Sequence, residues 1–140
     1  MTEIDFYVLE GAAPGKREQF ACKLVDKVHS LGHDIFIHTD NSAVANSINE
    51  LLWTFRDDSF IPHGLAGEET DAKVIIGSGQ APASPPHLLI NLSREVPEFF
   101  SQFERVAEVL DDSEEEREAG RERFRYYRDR GYDLKTHKLK

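Results

Sequence analysis

The chain contains very little cysteine, with Cys22 as its one thiol among 140 residues. A single cysteine excludes an internal disulfide and is typical of a reducing compartment. No segment reaches the roughly eighteen consecutive apolar residues that a membrane-spanning helix needs, and residues 1–5 lack the basic and then apolar pattern of a signal peptide. We therefore expect a cytoplasmic protein that does not contact a membrane and in which Cys22 is packed in the core.

Motifs for catalysis and for metal or cofactor binding are also missing. The six histidines are scattered without the spacing of a metal site, and no GxSxG turn supports a serine nucleophile. Segment 11–17 (GAAPGKR) resembles a phosphate-binding loop, but only three residues separate its glycines, and Arg17 replaces the Ser or Thr that would hold magnesium. We expect a strand–helix turn here, and no catalytic residue, metal or cofactor. A degenerate nucleotide-binding loop is the alternative, and magnesium-dependent ATP turnover lost on Lys16→Ala would favour it.

Hydrophobic periodicity predicts the elements of the fold. The apolar content of 39% and the nine phenylalanines indicate a folded chain, which we expect to be a single domain over residues 1–140. Apolar runs predict strands at 4–9, 35–38, 74–76 and 87–92, with a proline-rich loop at 77–86. Apolar residues spaced three or four apart predict three helices, through Phe20, Leu24, Val28 and Leu31, through Val44, Ile48, Leu51 or Leu52 and Phe55, and through Phe99, Phe100, Phe103, Val106 and Leu110.

A fourth helix is predicted from its end signals. Ser113 with Glu116 three residues later forms a capping-box pattern, and Gly131 is a typical residue to end the helix. Asn41 or Ser42 is expected to cap the second helix. Short apolar strands that alternate with amphipathic helices predict an α/β fold, with a mostly parallel central sheet and helices on both faces.

Charge is distributed unevenly along the chain. The net charge is −9, yet residues 117–140 hold nine Lys or Arg against four Asp or Glu, a local net of +5. Within the predicted last helix, Arg117, Arg121, Arg125 and Arg128 fall in a sector of roughly 80°, with Phe124 at its edge. Like charges at this spacing cost a helix a few tenths of a kcal/mol per pair. The stripe therefore favours an anionic partner with an apolar anchor, while a solvated helix face is the alternative.

Segment 53–65 carries unusual apolar side chains for a stretch that looks like an irregular loop. They are Trp53, Phe55, Phe60, Ile61, Pro62 and Leu65. Loops are usually polar because their backbone must meet water. Apolar side chains in such a loop either fold onto the core or form a protein-binding patch, in which Trp is a typical hot-spot residue. His63 in the same segment is expected to be a hydrogen-bonded loop histidine.

Three sequence blocks together resemble a known family. The opening DFYVLE, the block LLWTFRDDSFIPHGLAGE and the ending RERFRYYRDRGYDLK are similar to the chi subunit of bacterial DNA polymerase III holoenzyme. The resemblance covers nearly the whole chain in order. It implies a Rossmann-like, three-layer α/β fold without enzymatic activity, acting at the replication fork.

The resemblance also implies partners. Chi subunits bind the psi subunit, which tethers them to the clamp loader, and they bind the acidic C-terminal tail of single-stranded DNA-binding protein, which ends in Ile-Pro-Phe. The implied tail-binding residues are Leu110, Arg117, Arg121, Phe124, Arg125, Arg128 and Gly131. The implied psi-binding residues are Trp53, Phe60, Ile61, Pro62, His63 and Leu65. Contact with single-stranded DNA is expected to be weak, and a stand-alone single-stranded nucleic-acid-binding module is the alternative.

Overall fold

The computed structural model describes residues 1–56, 60–68, 71–79, 81–82 and 86–139. Parts of the predicted loop 77–86 and of segment 53–65 therefore lie outside the described residues. The described strands are β1 (Glu3–Leu9), β2 (Ile35–His38), β3 (His63–Leu65), β4 (Val74–Gly77), β5 (Leu88–Asn91), β6 (Arg105–Leu110) and β7 (Leu134–Leu139). The described helices are α1 (Lys16–Ser30), α2 (Ser42–Thr54), α3 (Glu114–Asp129) and a short 3-10 helix (Phe100–Gln102).

The strands form one sheet in the order β3-β4-β2-β5-β6-β1-β7. Every adjacent pair is parallel, so the sheet is parallel throughout. The central strands β2 and β5 are buried along their whole length, as expected for strands covered on both faces. Strands β3 and β7 are the two edges of the sheet.

Helices cover both faces of the sheet, which confirms the predicted α/β, Rossmann-like class. Side chains of α1 and α2, among them Val25, Ile48 and Leu52, pack with one face of the strands. Side chains of α3 and of the 3-10 helix, among them Tyr127 and Phe100, pack with the other face. Each face therefore has its own apolar core, and α3 lies on the side opposite to α1 and α2.

The helix ends follow the signals in the sequence, with two differences. Asn41 Oδ1 accepts the Val44 N–H at 3.0 Å, and Ser113 Oγ accepts the Glu116 N–H at 3.3 Å. In a full capping box the Glu116 side chain would also accept the Ser113 N–H. Here the Ser113 N–H donates to Asp111 Oδ1 instead, at 2.9 Å. The other difference is Leu31, which follows the end of α1 and is 65% exposed instead of packing with the core.

The helix predicted through residues 99–110 is wrong. Only a 3-10 helix forms at Phe100–Gln102, and residues 105–110 are strand β6. The apolar residues at 99, 103, 106 and 110 match a helical spacing by coincidence, because β6 is buried on both faces and its apolar residues are nearly continuous. The β-branched Val106 and Val109 favour the strand.

The edge strands β3 and β7 were not predicted from the sequence. Strand β3 has three residues, and the residues of β7 (LKTHKL) are mostly polar and partly exposed. Neither strand has the apolar run that marks a buried strand. Side chains tie β7 to the sheet, since Asp5 on β1 lies 3.1 Å from His137 and 2.7 Å from Arg105. Burial alone would raise the pKa of Asp5, but the hydrogen bonds from Arg105 and His137 lower it below its usual value.

Candidate peptide-binding sites

The basic stripe lies on the exposed face of α3. Arg117, Arg121, Arg125 and Arg128 are all exposed. The helix keeps this face away from the core because its other face carries the buried residues Ala119, Gly120, Arg123 and Tyr127. Three glutamates in the first turn also complement the positive end of the helix dipole. The exposed arginines are therefore available to an anionic partner.

An apolar hollow of about 210 Å³ lies between α3 and strands β1, β6 and β7. We call it the α3–β7 hollow. Its lining residues are Phe6, Val8, Leu110, Arg117, Gly120, Arg121, Phe124 and Thr136. The rings of Phe6 and Phe124 lie 5.4 Å apart between their centroids, and the two arginines bring positive charge to the hollow. Such a site suits an apolar side chain next to a negatively charged group.

Gly120 makes room for the hollow. A Cβ atom at this position would lie 2.6 Å from Leu110 Cδ1, closer than van der Waals contact allows. Leu110 therefore packs directly against the α3 backbone. The missing side chain lets Leu110 take this place and leaves the space beside it open, a role for Gly120 that the periodicity of the sequence did not indicate.

The predicted tail-site residues divide into two groups. Leu110, Arg117, Arg121 and Phe124 line the α3–β7 hollow. The other three residues do not line it: Arg125, Arg128 and Gly131. Arg125 lies 3.8 Å from Glu122, and Arg128 lies 3.3 Å from Asp129.

The role of Gly131 is to end α3. Its φ of 84° is left-handed, a conformation that glycine adopts without steric cost.

The two arginines at the hollow also differ in their ion-pair partners. Arg117 lies 4.0 Å from Asp112. Across the described part of the chain, Arg121 has no ion-pair partner. An incoming carboxylate therefore meets less competition from the protein's own carboxylates at Arg121 than at Arg117.

A different arginine of α3, Arg123, is buried and structural. Its side chain is 2% exposed, and its Nε donates to Glu108 on β6 at 2.8 Å. Tyr127 Oη and Asn91 Nδ2 also donate to Glu108, at 2.6 and 2.9 Å. Burial and the negative charge of Glu108 raise the pKa of Tyr127 well above its usual value. This network joins α3 to β5 and β6 through a fully buried carboxylate.

The aromatic patch of segment 53–65 lies partly at the surface. Trp53 is 49% exposed and Phe60 is 70% exposed, with 5.4 Å between their ring centroids. Pro62 is also exposed and Leu65 is half-buried. Contiguous exposed aromatic side chains of this kind mark interaction surfaces in soluble proteins.

The two remaining residues predicted for this patch point inward. Ile61 is 1% exposed and belongs to the core. His63 is buried, and its ring nitrogens lie 2.6 Å from the Ile61 carbonyl oxygen and 2.8 Å from the Asn49 carbonyl oxygen. Its ring also contacts Trp53, with 4.4 Å between the centroids. His63 therefore lies beneath the exposed Trp53 ring and links the start of β3 to α2.

Arg17 occupies the end of the sheet where a phosphate-binding loop would place its ligand. Its Nε donates to the Val109 carbonyl at 3.1 Å and its Nη2 to the Leu92 carbonyl at 3.0 Å. The Lys16 ammonium donates to the carbonyl of Glu10. Both cations of the loop are thus engaged by the protein's own backbone, which favours a strand–helix turn over a nucleotide site.

Other reactive groups give no further site within the described residues. No group of three or more His, Cys, Asp and Glu side chains there could hold a metal ion. Cys22 is buried. Its burial, and to a lesser extent the negative charge of Glu18, raise the pKa of its thiol to about 12. In the same part of the chain, no helix combines the length and the apolar character needed to cross a membrane.

Comparison with known proteins shows which family this chain resembles. A sequence model described as "DNA polymerase III chi subunit, HolC" matches residues 1–135. The DNA polymerase III subunit chi of Pseudomonas aeruginosa is 42% identical over 139 residues, covering 99% of this chain and 98% of the relative. The subunit chi of Haemophilus influenzae is 30% identical over 134 residues, covering 94% and 93%. That of Escherichia coli is 30% identical over 122 residues, covering 85% and 83%.

Among solved structures, the crystal structure of T4 UvsW resembles this chain with a TM-score of 0.67 and 12% sequence identity. The match covers 98% of this chain and 42% of that chain, so this chain spans less than half of the larger protein. At this level of identity the likeness concerns the fold alone, and it supports the Rossmann-like architecture.

Proposed function

The chain belongs to the family of DNA polymerase III chi subunits, and on this premise we propose that it links the polymerase machinery to single-stranded DNA-binding protein at the replication fork. As a chi subunit it is an accessory component of the polymerase and not a catalytic one. One surface binds the acidic C-terminal tail of single-stranded DNA-binding protein. A second surface binds the psi subunit, and psi connects it to the clamp loader.

The α3–β7 hollow carries the proposal for the tail. The terminal Phe ring of the tail enters the hollow and packs against Leu110 and Phe124. Arg121 pairs with the terminal carboxylate, and Arg117 pairs with an acidic group nearby. Arg125 and Arg128 attract the remaining aspartates over a longer range, since they lie on the same exposed side of α3 but outside the hollow. The family resemblance counts Arg125 among the tail-binding residues, and in this arrangement Arg121 takes the terminal carboxylate because Arg125 does not line the hollow.

The electrostatics of the chain suit this partner better than DNA. Residues 117–140 carry a net of +5, whereas the whole chain carries −9. A short acidic peptide meets only the basic side of α3, while a longer nucleic acid also meets the acidic remainder. Exposed charges are screened within about 10 Å at 0.1 M salt, so tail binding is salt-sensitive. Direct contact with single-stranded DNA through the same arginines is weak.

A titration of a fluorescent tail peptide tests the proposal. We expect wild-type binding on the order of micromolar, because the peptide makes few contacts. A charge-assisted contact contributes about 1.5–3 kcal/mol, so Arg121→Ala should weaken binding roughly 10- to 100-fold. Arg125→Ala should weaken it less, because Arg125 does not line the hollow.

Arg130→Ala is the matched control for this titration. Arg130 directly follows α3, and its guanidinium lies 3.4 Å from the centroid of the Tyr126 ring, and neither residue lines the hollow. Removing this charge should change affinity less than twofold. A wild-type protein that does not bind the peptide, or equal effects of Arg121→Ala and Arg130→Ala, would contradict the proposed site.

The exposed pair Trp53 and Phe60 carries the proposal for psi. Two large aromatic side chains at the surface form the centre of a hot spot, where truncation typically costs about 2 kcal/mol or more. Trp53→Ala should therefore prevent co-purification with psi at micromolar concentration. Arg121→Ala should leave psi binding unchanged, and Trp53→Ala should leave tail binding unchanged. Loss of both activities in either variant would contradict two separate surfaces.

A further inference from the structure

A second hollow adjoins the α3–β7 hollow at the carboxyl ends of β1 and β7. Its volume is about 480 Å³. The lining residues are Val8, Leu9, Glu10, Asp112, Arg117, Lys138 and Leu139. Val8 and Arg117 line both hollows, so the two lie side by side along β7, and together we call them the groove. We call this second part the β7-end hollow.

Strand register decides which β7 side chains reach the groove. Thr136 pairs with Phe6 and Lys138 pairs with Val8 in the β1–β7 ladder. Successive side chains of a strand point to opposite faces, and Phe6 belongs to the core on the α3 side. Lys138 therefore stands on the same face as Thr136, toward α3. Lys135 stands on the opposite face of the same strand.

The spacing along β7 matches an extended peptide. Thr136 lines the first hollow, and Lys138 follows two residues later, a distance of about 6.7 Å at 3.3–3.4 Å per residue. An extended peptide has nearly the same rise. If its terminal Phe fills the α3–β7 hollow and its chain follows β7, the residue two positions earlier lies level with Lys138, over the β7-end hollow. The residue three positions earlier lies one rise further along the strand.

The chemistry of the β7-end hollow matches those two peptide positions. Val8, Leu9 and Leu139 are its apolar lining residues. By register only Val8 faces α3, because Leu9 and Leu139 pack with the core on the opposite side of the sheet. The surface that this hollow offers to an aliphatic side chain is therefore that of Val8. Glu10 and Asp112 also line it, and they would repel a carboxylate placed between them. Lys138 is exposed, and within the described ranges it has no ion-pair partner. It supplies a positive charge for an acidic residue further along the peptide.

We infer that the β7-end hollow is a second subsite for the acidic tail, an inference that rests on the proposed function. The tail runs along β7 toward its carboxyl end. The Ile two residues before the terminal Phe packs on Val8, and the preceding Asp pairs with Lys138. The competing path, along the C-terminal half of α3, offers arginines that already contact Glu122 and Asp129.

A charge reversal with a matched control tests the path. Labelled peptides ending in Asp-Asp-Ile-Pro-Phe are titrated into wild type, Lys138→Glu, Lys135→Glu and Arg121→Ala. Lys138→Glu and Lys135→Glu change the net charge equally on the same edge strand, but only Lys138 faces the groove. We expect Lys138→Glu to weaken binding about tenfold, as for loss of one charge-assisted contact, and Lys135→Glu less than twofold.

A charge swap in the peptide sharpens the result. A peptide with Lys in place of the Asp that precedes Ile should bind Lys138→Glu at least fivefold more tightly than it binds wild type. Equal effects of Lys138→Glu and Lys135→Glu, with Arg121→Ala still weakening the complex, would overturn the path and leave the proposed function standing. Absence of binding to wild type would overturn both. Circular dichroism of each variant establishes that the fold is retained.

Discussion

Two arginines two positions apart on α3 act in opposite ways. Arg121 is exposed at the α3–β7 hollow and has no ion-pair partner among the described residues. Arg123 is 2% exposed, and its guanidinium contacts Glu108, which is fully buried. Two positions on a helix differ by about 200°, so one side chain faces solvent and the other faces the sheet.

The comparison shows how one helix serves both stability and recognition. A buried ion pair is held by the geometry around it, and salt screens it only slightly. An exposed charge contributes little to stability, but it is free to pair with a partner. We therefore expect substitutions on the buried side of α3 to change the free energy of unfolding, and substitutions on the exposed side to change affinity for the tail.

The largest expected effect is that of Arg123→Ala. The substitution leaves the Glu108 carboxylate buried without its counter-charge, which typically costs about 3–5 kcal/mol. Chemical denaturation measures the loss, and Arg125→Ala is the control, because exposed substitutions usually change stability by less than about 0.5 kcal/mol. A loss below about 1 kcal/mol for Arg123→Ala would mean that the network does not hold α3 to the sheet.

Gly120→Ala tests the boundary between the two sides. The new Cβ would displace Leu110, and the open space next to Leu110 is the α3–β7 hollow. We expect tail affinity to fall about fivefold, or about 1 kcal/mol, as for overpacking by one methyl group. Stability should change by less than that, because alanine is favoured over glycine within a helix by about 1 kcal/mol.

Gly131→Ala is the control for this substitution. The residue ends α3 with a φ of 84° and has open space around it. Alanine there is strained by about 1–2 kcal/mol but does not fill the hollow, so stability should fall while tail affinity is kept. The opposite pattern would support the expectation from the family resemblance that Gly131 belongs to the tail site.

The different burial of neighbouring residues explains what the sequence could predict. The apolar runs of β1, β2, β4 and β5 mark strands covered on both sides, and they were found. Strand β6 was mistaken for a helix because a fully buried strand loses the two-residue alternation that identifies strands. Strand β7 was missed because an edge strand buries little. Both errors concern burial, which depends on neighbours distant in sequence.

The candidate tail site shows the same limit. The stripe of arginines and Phe124 could be identified from helical spacing and from the family resemblance. Counting charges did not separate Arg123 from its neighbours, although its position off the stripe is a signal that could have done so. Lys138 could not be found without the register of β7 against β1. Which arginine lines the hollow likewise depends on the packing of α3 against β6 and β7.

The smallest expected effect concerns β7, the wall of the groove opposite α3. The folded pKa of Asp5 lies below its unfolded value of 3.8, so the unfolded chain binds the proton more readily. The stabilisation by Asp5 is therefore fully present above about pH 4 and is lost as the pH falls through the folded pKa. The loss should stay below about 1 kcal/mol, because Arg105 and His137 are partly exposed to solvent. Denaturation of wild type and Asp5→Asn between pH 2.5 and 5 measures it, and a variant that keeps the full wild-type dependence on pH would show that Asp5 does not hold this wall.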